Sequence, residues 1–296
     1  MPSPTSEPAA SEPTASEPAA ASVLIVDRPS EKVLRLTLNR PEKRNALNDS
    51  LRGALFDALR KGDRDPDVSM MIIRGAGSCF SAGYDLGSPN SDVERSIAHV
   101  DGWWSRHVVN NWFEMWDMAT PIIGQVHGYC LAGGSELAAA CDLVYVSDDA
   151  KIGYPPVRLM SPPDLAWQPW LMGLRRGMEA LLTGDSMSGA EAVQAGAANR
   201  CFPLAELDDA VVGIAERIAL IPADLLALNK RVAHRAMEAA GMRTGLRATA
   251  EIQAMGFHQA SSKAYMRTFG QKGVSASLSE RDRAFGDYRE RAGDRE

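Results

Sequence analysis

A carboxylate placed just inside a glycine-rich helix start is the arrangement in this chain best suited to chemistry. Residues 126–142 read V-H-G-Y-C-L-A-G-G-S-E-L-A-A-A-C-D. The Ala/Leu run is a helix pattern, and Gly133 and Gly134 stand where that helix begins. Glycines there let the backbone approach a bound group closely, while the first helical N–H groups lack internal acceptors. The helix dipole adds positive partial charge at the same point, which suits an oxygen that becomes anionic during a reaction. Glu136 follows Gly133 by about one turn and so shares its face. A donor and a proton-transferring carboxylate are thereby presented side by side. The alternative is structural: glycines capping a buried helix, with Glu136 complementing its dipole.

A second stretch repeats the pattern. The apolar run Ser69 to Arg74 enters the glycine-rich sequence G-A-G-S-C-F-S-A-G-Y-D-L over residues 75–86, whose N–H groups suit an oxygen ligand. Both loops need elements to carry them. The sequence supplies strands at 23–27, 33–39, 69–74, 121–126 and 143–147. A helix capped by Asn48 is expected to be stopped by Gly62 and the Asp-rich turn to Asp67, and another lies around 170–182. Strands alternating with helices predict an α/β fold. From Pro203 onward the chain reads as nearly continuous amphipathic helix, expected to serve as an oligomerisation module. The implied division is a disordered Ser/Glu/Pro/Ala repeat tail at 1–21, an α/β core at 22–203 and a helical region at 204–296.

With Asn39-Arg-Pro-Glu-Lys-Arg-Asn-Ala-Leu47, the glycine loop and the Gly-Gly-Ser-Glu helix start stand in an order and spacing that resembles the crotonase (enoyl-CoA hydratase/isomerase) superfamily, over about Ser22 to Phe285. The resemblance implies a crotonase-like ββα spiral core and an acyl-CoA thioester substrate. It implies a two-amide oxyanion hole formed by the N–H groups of Tyr84 and Gly133, with Glu136 as acid/base. It further implies that the Ala82 carbonyl meets the adenine, that Arg44 and Asp85 lie among the CoA contacts, and that the chain forms a homotrimer or homohexamer. Coenzyme A enters as part of the substrate, and no other cofactor or metal is expected.

Two positions depart from the family pattern. Gly87 replaces a lysine that many relatives use for CoA, which turns attention to another cation such as Arg281. Pro156 replaces the second glutamate of a hydratase, and proline transfers no proton. Asp164, eight residues on, matches an aspartate that some relatives employ; Pro162-Pro-Asp is equally ordinary turn chemistry. These departures leave open hydration, isomerisation, specialised enolate chemistry and a non-catalytic thioester-binding or scaffold protein. Trp104, Trp112 and Trp116 fall on one helix stripe. They are either core or, as the resemblance suggests, the wall of a pocket for a bulky acyl group.

Other classes are disfavoured. The formal net charge of −6 shows no basic face for nucleic acid. No apolar stretch reaches the ~18 residues of a membrane span. The N-terminus lacks the basic-then-apolar order of a signal peptide, and the four cysteines lack metal or redox spacing, so a cytoplasmic protein is expected. Phe80 occupies the third position of a dinucleotide glycine motif. Ser81 and Ser135 lack the flanking glycines of a nucleophile elbow, and the histidines show no ligand spacing.

Overall fold

The computed structural model describes residues 22–87 and 103–286; the repeat tail expected at 1–21 lies outside them. In chain order come β1 (Leu24–Ser30), β2 (Val33–Leu38), α1 (Asp49–Arg64), β3 (Met70–Gly75), α2 (Trp103–Asp117), β4 (Ile122–Val126), β5 (Tyr129–Leu131), α3 (Gly133–Ala140), β6 (Leu143–Ser147) and β7 (Lys151–Gly153). There follow α4 (Gln168–Thr183), β8 (Met187–Ser188), α5 (Gly189–Ala195) and β9 (Arg200–Phe202). The C-terminal helices are α6 (Leu207–Ile218), α7 (Ala223–Ala239), α8 (Met242–Phe257), α9 (Ala260–Lys272) and α10 (Val274–Arg283).

The larger sheet runs in the order β1-β2-β3-β4-β6-β9; β1 is antiparallel to β2, and the pairings from β2 through β9 are parallel. Its parallel strands are apolar on both faces because both are covered. Met71 and Ile73 face one core with Leu51, Leu55 and Leu59 of α1, while Met70 and Ile72 face another with Val211 and Ala215 of α6. That alternation is the two-residue period of a strand read twice. A smaller sheet, β5-β7-β8, stands beside the first turn of α3.

Asn48 caps α1 by accepting from the Leu51 N–H. The helix passes through Gly62 and ends at Arg64, inside the expected stop between Gly62 and Asp67. A side chain at Gly62 would come within 2.7 Å of Leu34 Cδ2 and Met71 Sδ, so the glycine permits close packing of helix on sheet rather than terminating the helix. The expected continuous helix after Pro203 is instead divided, with Pro222 opening α7, Gly241 preceding α8 and Gly273 separating α9 from α10.

Candidate active site

Backbone bonds lace the glycine loop to the start of α3. The Ser81 N–H donates to the Tyr129 carbonyl and the Leu131 N–H to the Ser81 carbonyl, each at 3.0 Å. On the other side, the Leu47 N–H donates to the Gly83 carbonyl at 2.8 Å and the Asp85 N–H to the Leu47 carbonyl at 3.2 Å. Because those two groups face Leu47, alternation along the extended backbone turns the Tyr84 N–H away from it. The Gly133 N–H belongs to the first helical residue, where no carbonyl four positions back serves as acceptor. The two segments touch: a Cβ on Gly83 would lie 3.2 Å from the Gly133 nitrogen and 2.8 Å from Ala132 Cβ.

Two unusual torsions hold this junction. Gly83 has φ +104°, which glycine adopts without penalty. Ala132 has φ 51° and ψ −126°, a conformation glycine favours and alanine resists, at a cost of about 1–3 kcal/mol. The Ala132 N–H is secured by the Gly153 carbonyl at 2.9 Å, and β7 thus fixes the residue immediately before the helix start.

Glu136 is fully buried one turn into α3. Its Oε2 accepts from the Tyr84 hydroxyl at 2.7 Å, and its Oε1 accepts from the Leu165 N–H at 3.1 Å. Burial pushes the Glu136 carboxyl well above the usual carboxylate range, and the neighbouring Asp164 carboxylate pushes it further; the donors from Tyr84, Leu165 and Asp164 offset part of this. Asp164 is itself 1% exposed, so the structure brings the two carboxylates into one buried cluster. Tyr84 and Tyr154 complete the cluster. Burial and then the charges of Glu136 and Asp164 drive both phenols well above their ordinary range, which keeps them protonated as donors.

The Tyr84 ring lies over Gly133: a Cβ there would meet its Cε2 and Cζ at 2.7 Å. With its hydroxyl on Glu136, the phenol bridges the space between the helix start and the carboxylate. The Tyr84 backbone is legible as a donor in the sequence, whereas the role of its side chain is not. Tyr154, in the Gly-Tyr-Pro-Pro segment, also belongs to the site, and no local sequence pattern discloses its burial.

Pro156 stands in the 3-10 turn Pro155–Arg158, and its carbonyl accepts from Met160 at 2.8 Å. Its ring supplies no acid. Arg44 is exposed, stacks near the Tyr129 ring at 5.5 Å, and gives its carbonyl to the Ala82 N–H at 2.9 Å, so Arg44 and Ala82 share the loop's outer edge.

Several expected binding residues have other work. Asp85 is tied to Arg40 at 2.9 Å and to the Gly87 N–H at 3.0 Å, which closes the loop on itself. Arg281 is buried and engages Asp282 through two bonds of 2.8 Å. Trp112 and Trp116 are core residues, the former against Phe56 and the latter against Phe113 and His234. They therefore give no argument for a bulky acyl group; the Trp104 side chain lies outside the described residues. Ser81 and Ser135 bond the Asn45 and Ala132 carbonyls, and His127 bonds the Gly77 carbonyl. Among the described residues, no cluster of three His, Cys, Asp or Glu residues is placed to hold a metal, and no helix is long and apolar enough to cross a membrane.

The chain's relatives share this architecture. A profile of the family described as enoyl-CoA hydratase/isomerase matches residues 28–287. A probable enoyl-CoA hydratase of Mycobacterium tuberculosis is 32% identical over 218 residues, covering 73% of this chain and 82% of the relative. A probable mitochondrial enoyl-CoA hydratase of Dictyostelium discoideum is 31% identical over 206 residues, covering 69% and 72%. The crystal structure of an enoyl-CoA hydratase from Mycobacterium smegmatis aligns with a TM-score of 0.83 at 28% identity, covering 90% of this chain and 96% of that one. An enoyl-CoA hydratase/isomerase from Xanthobacter autotrophicus Py2 aligns at 0.80 and 30% identity, covering 90% and 99%. With its α/β core, C-terminal helices and paired glycine junctions, this chain belongs to the enoyl-CoA hydratase/isomerase family, the crotonase superfamily of enzymes.

Proposed function

We propose that the protein acts on an acyl-CoA thioester, holding its carbonyl oxygen between the Tyr84 and Gly133 amides while Glu136 carries a proton at carbon. Asp164 is the second carboxylate, in place of the glutamate lost at Pro156. Removing a proton from the carbon beside the thioester leaves an enolate whose negative charge lies on the carbonyl oxygen, and two amide donors stabilise it. Glu136 takes that proton as a carboxylate and returns it, as the acid, to another carbon of the same acyl chain. Atoms and electrons balance without metal or redox cofactor, and the outcome is movement of the double bond. The observation that carries this reading is the burial of Glu136 and Asp164 in one cluster while Pro156 offers no acid.

This favours isomerase-like chemistry over fast addition of water, the reaction named in many relatives. The test is turnover of crotonyl-CoA, followed by loss of the conjugated enoyl-thioester absorbance, beside double-bond migration in 3-enoyl- and dienoyl-CoA substrates. Glu136→Gln should cost ~10²–10⁴ in kcat on the accepted substrate, and Asp164→Asn should impair it as well. Unchanged turnover in Glu136→Gln would remove the proposed base; rapid crotonyl-CoA hydration by the native protein would restore the hydratase reading.

The Tyr84 ring over Gly133 favours a second reading, thioester binding without turnover, because an acyl group entering there must displace the phenol. Calorimetric binding of acyl-CoA with no turnover of short, long or aromatic acyl chains would support it. The proposal also includes a cytoplasmic homotrimer or homohexamer, with residues 204–296 as the assembly region. Leu225, Leu228 and Val232 of α7 and Met255 of α8 are exposed apolar residues that suit such contacts, and light scattering of the native protein checks the assembly.

A further inference from the structure

The C-terminal helices grip the segment that carries Asp164 at three points. Thr249 Oγ1 of α8 lies 3.0 Å from the Asp164 carbonyl oxygen and accepts from the Ala166 N–H at 3.4 Å. Gly256, on the same helix, lies against Pro162, where a Cβ would approach Cδ to 2.7 Å. The Ser262 hydroxyl of α9 bonds the Met160 carbonyl. Between the two backbone groups held by Thr249 lies Leu165, whose N–H donates to Glu136 Oε1. Residues 163–168 are all buried, so their placement depends on what packs against them.

We propose that Thr249 is a positioning residue for the two-carboxylate centre, acting through the backbone of Asp164 to Ala166. The inference rests on the reading of Glu136 as proton carrier. A threonine at this place on α8 has an ordinary local bond to the Leu246 carbonyl at 2.7 Å. What is not local is that the same oxygen meets both an acceptor and a donor on a segment more than eighty residues earlier. Replacing it with valine keeps the shape and leaves the Ala166 N–H facing a methyl group. The segment then relaxes, and with it the Leu165 and Asp164 N–H groups that favour the charged form of Glu136.

The titratable groups facing Glu136 are Tyr84 from the glycine loop, Asp164 from the gripped segment and Tyr154 from the turn after β7. Of these, Thr249→Val displaces the Asp164 segment first. On the best acyl-CoA substrate of the full-length protein, Thr249→Val should lower kcat by roughly ten- to a hundredfold, with KM nearly unchanged. The acidic limb of the kcat–pH profile should move to higher pH, since the carboxylate loses donors, and Thr249→Ser should recover both kcat and limb.

Native kcat and pH limb in a folded Thr249→Val overturn the proposal. If Thr249→Val lacks a cooperative thermal transition, Gly256→Ala pushes α8 off the same segment; the same upward movement of the limb supports the proposal, and an unmoved limb overturns it. Glu136→Gln measured alongside separates the two levels of argument. Retained turnover there removes the base, whereas its loss beside a native-like Thr249→Val removes only the positioning role.

Discussion

At the scale of single residues, Tyr84 has two roles that chemistry must reconcile. Its amide is one of the proposed oxyanion donors, and its phenol holds Glu136 Oε2 at 2.7 Å. Burial first, and the Asp164 charge second, raise the Glu136 carboxyl, whereas the phenolic bond lowers it. Removing the hydroxyl in Tyr84→Phe should thus raise the Glu136 pKa further. Because catalysis begins from the carboxylate, the acidic limb of kcat should shift upward in pH. A pH–rate profile checks it. A limb that stays in place would mean that the phenol leaves Glu136 before the proton moves, displaced by the acyl group.

At the scale of elements, the site depends on how loops without regular structure are made rigid. Asn45 is fully buried with φ 52°, a conformation that Asn tolerates better than most residues. Its Nδ2 donates to the Ala76 and Cys79 carbonyls, both at 2.8 Å, and its Oδ1 accepts from the Arg40 N–H at 2.9 Å. One side chain thus binds the Arg40 turn to the glycine loop that carries Tyr84. Asn45→Ala removes three bonds and leaves buried partners unsatisfied, which should destabilise the fold by roughly 2–4 kcal/mol and lower kcat through the loosened loop. Denaturant unfolding and steady-state kinetics on one preparation measure both.

These elements also show what the sequence could disclose. β6 matches the expected Leu143–Ser147, and the Asn48 cap and the helix start at Gly133 are as expected, because apolar period and capping chemistry are local. The helix stops at Arg64, within the expected stop, but the contact of Gly62 with Leu34 and Met71 across the core is not legible locally. The facing of Asp164 toward Glu136 was equally hidden. It follows from α8 and α9 pressing on a proline-rich segment, and no pattern within Pro162-Pro-Asp records that pressure. The tryptophan stripe was visible as a stripe, but its burial against Phe56 and Phe113 depends on helices distant in sequence.

At the scale of the whole molecule, the C-terminal helices must be fastened to the sheet for the site to have a fixed wall. Lys230 of α7 does much of this. Its side chain is 4% exposed, and its ammonium group pairs with Asp142 Oδ2 at 2.9 Å and donates to the Met115 carbonyl at 2.8 Å and the Thr120 carbonyl at 3.3 Å. One turn later on the same helix, His234 reaches Asp142 Oδ1 at 2.8 Å. Asp142 also accepts from the Ile122 N–H at 2.8 Å, at the first residue of β4. A single cation thus joins α7 to the end of α2, the approach to β4 and the residue before β6. Lys230→Met keeps the apolar stem but takes the ammonium from Asp142, leaving that carboxylate only His234 and the Ile122 N–H, and strands two buried carbonyls; breaking a buried pair in this way costs about 3–5 kcal/mol. Because Asp142→Asn removes the charge that has lost its ammonium partner, the double variant should be less destabilised than the sum of the two single variants. Urea unfolding of the four proteins measures this coupling. Simple additivity would show that Lys230 acts only through the carbonyls, and that the C-terminal helices are held to the sheet by packing rather than by this charge.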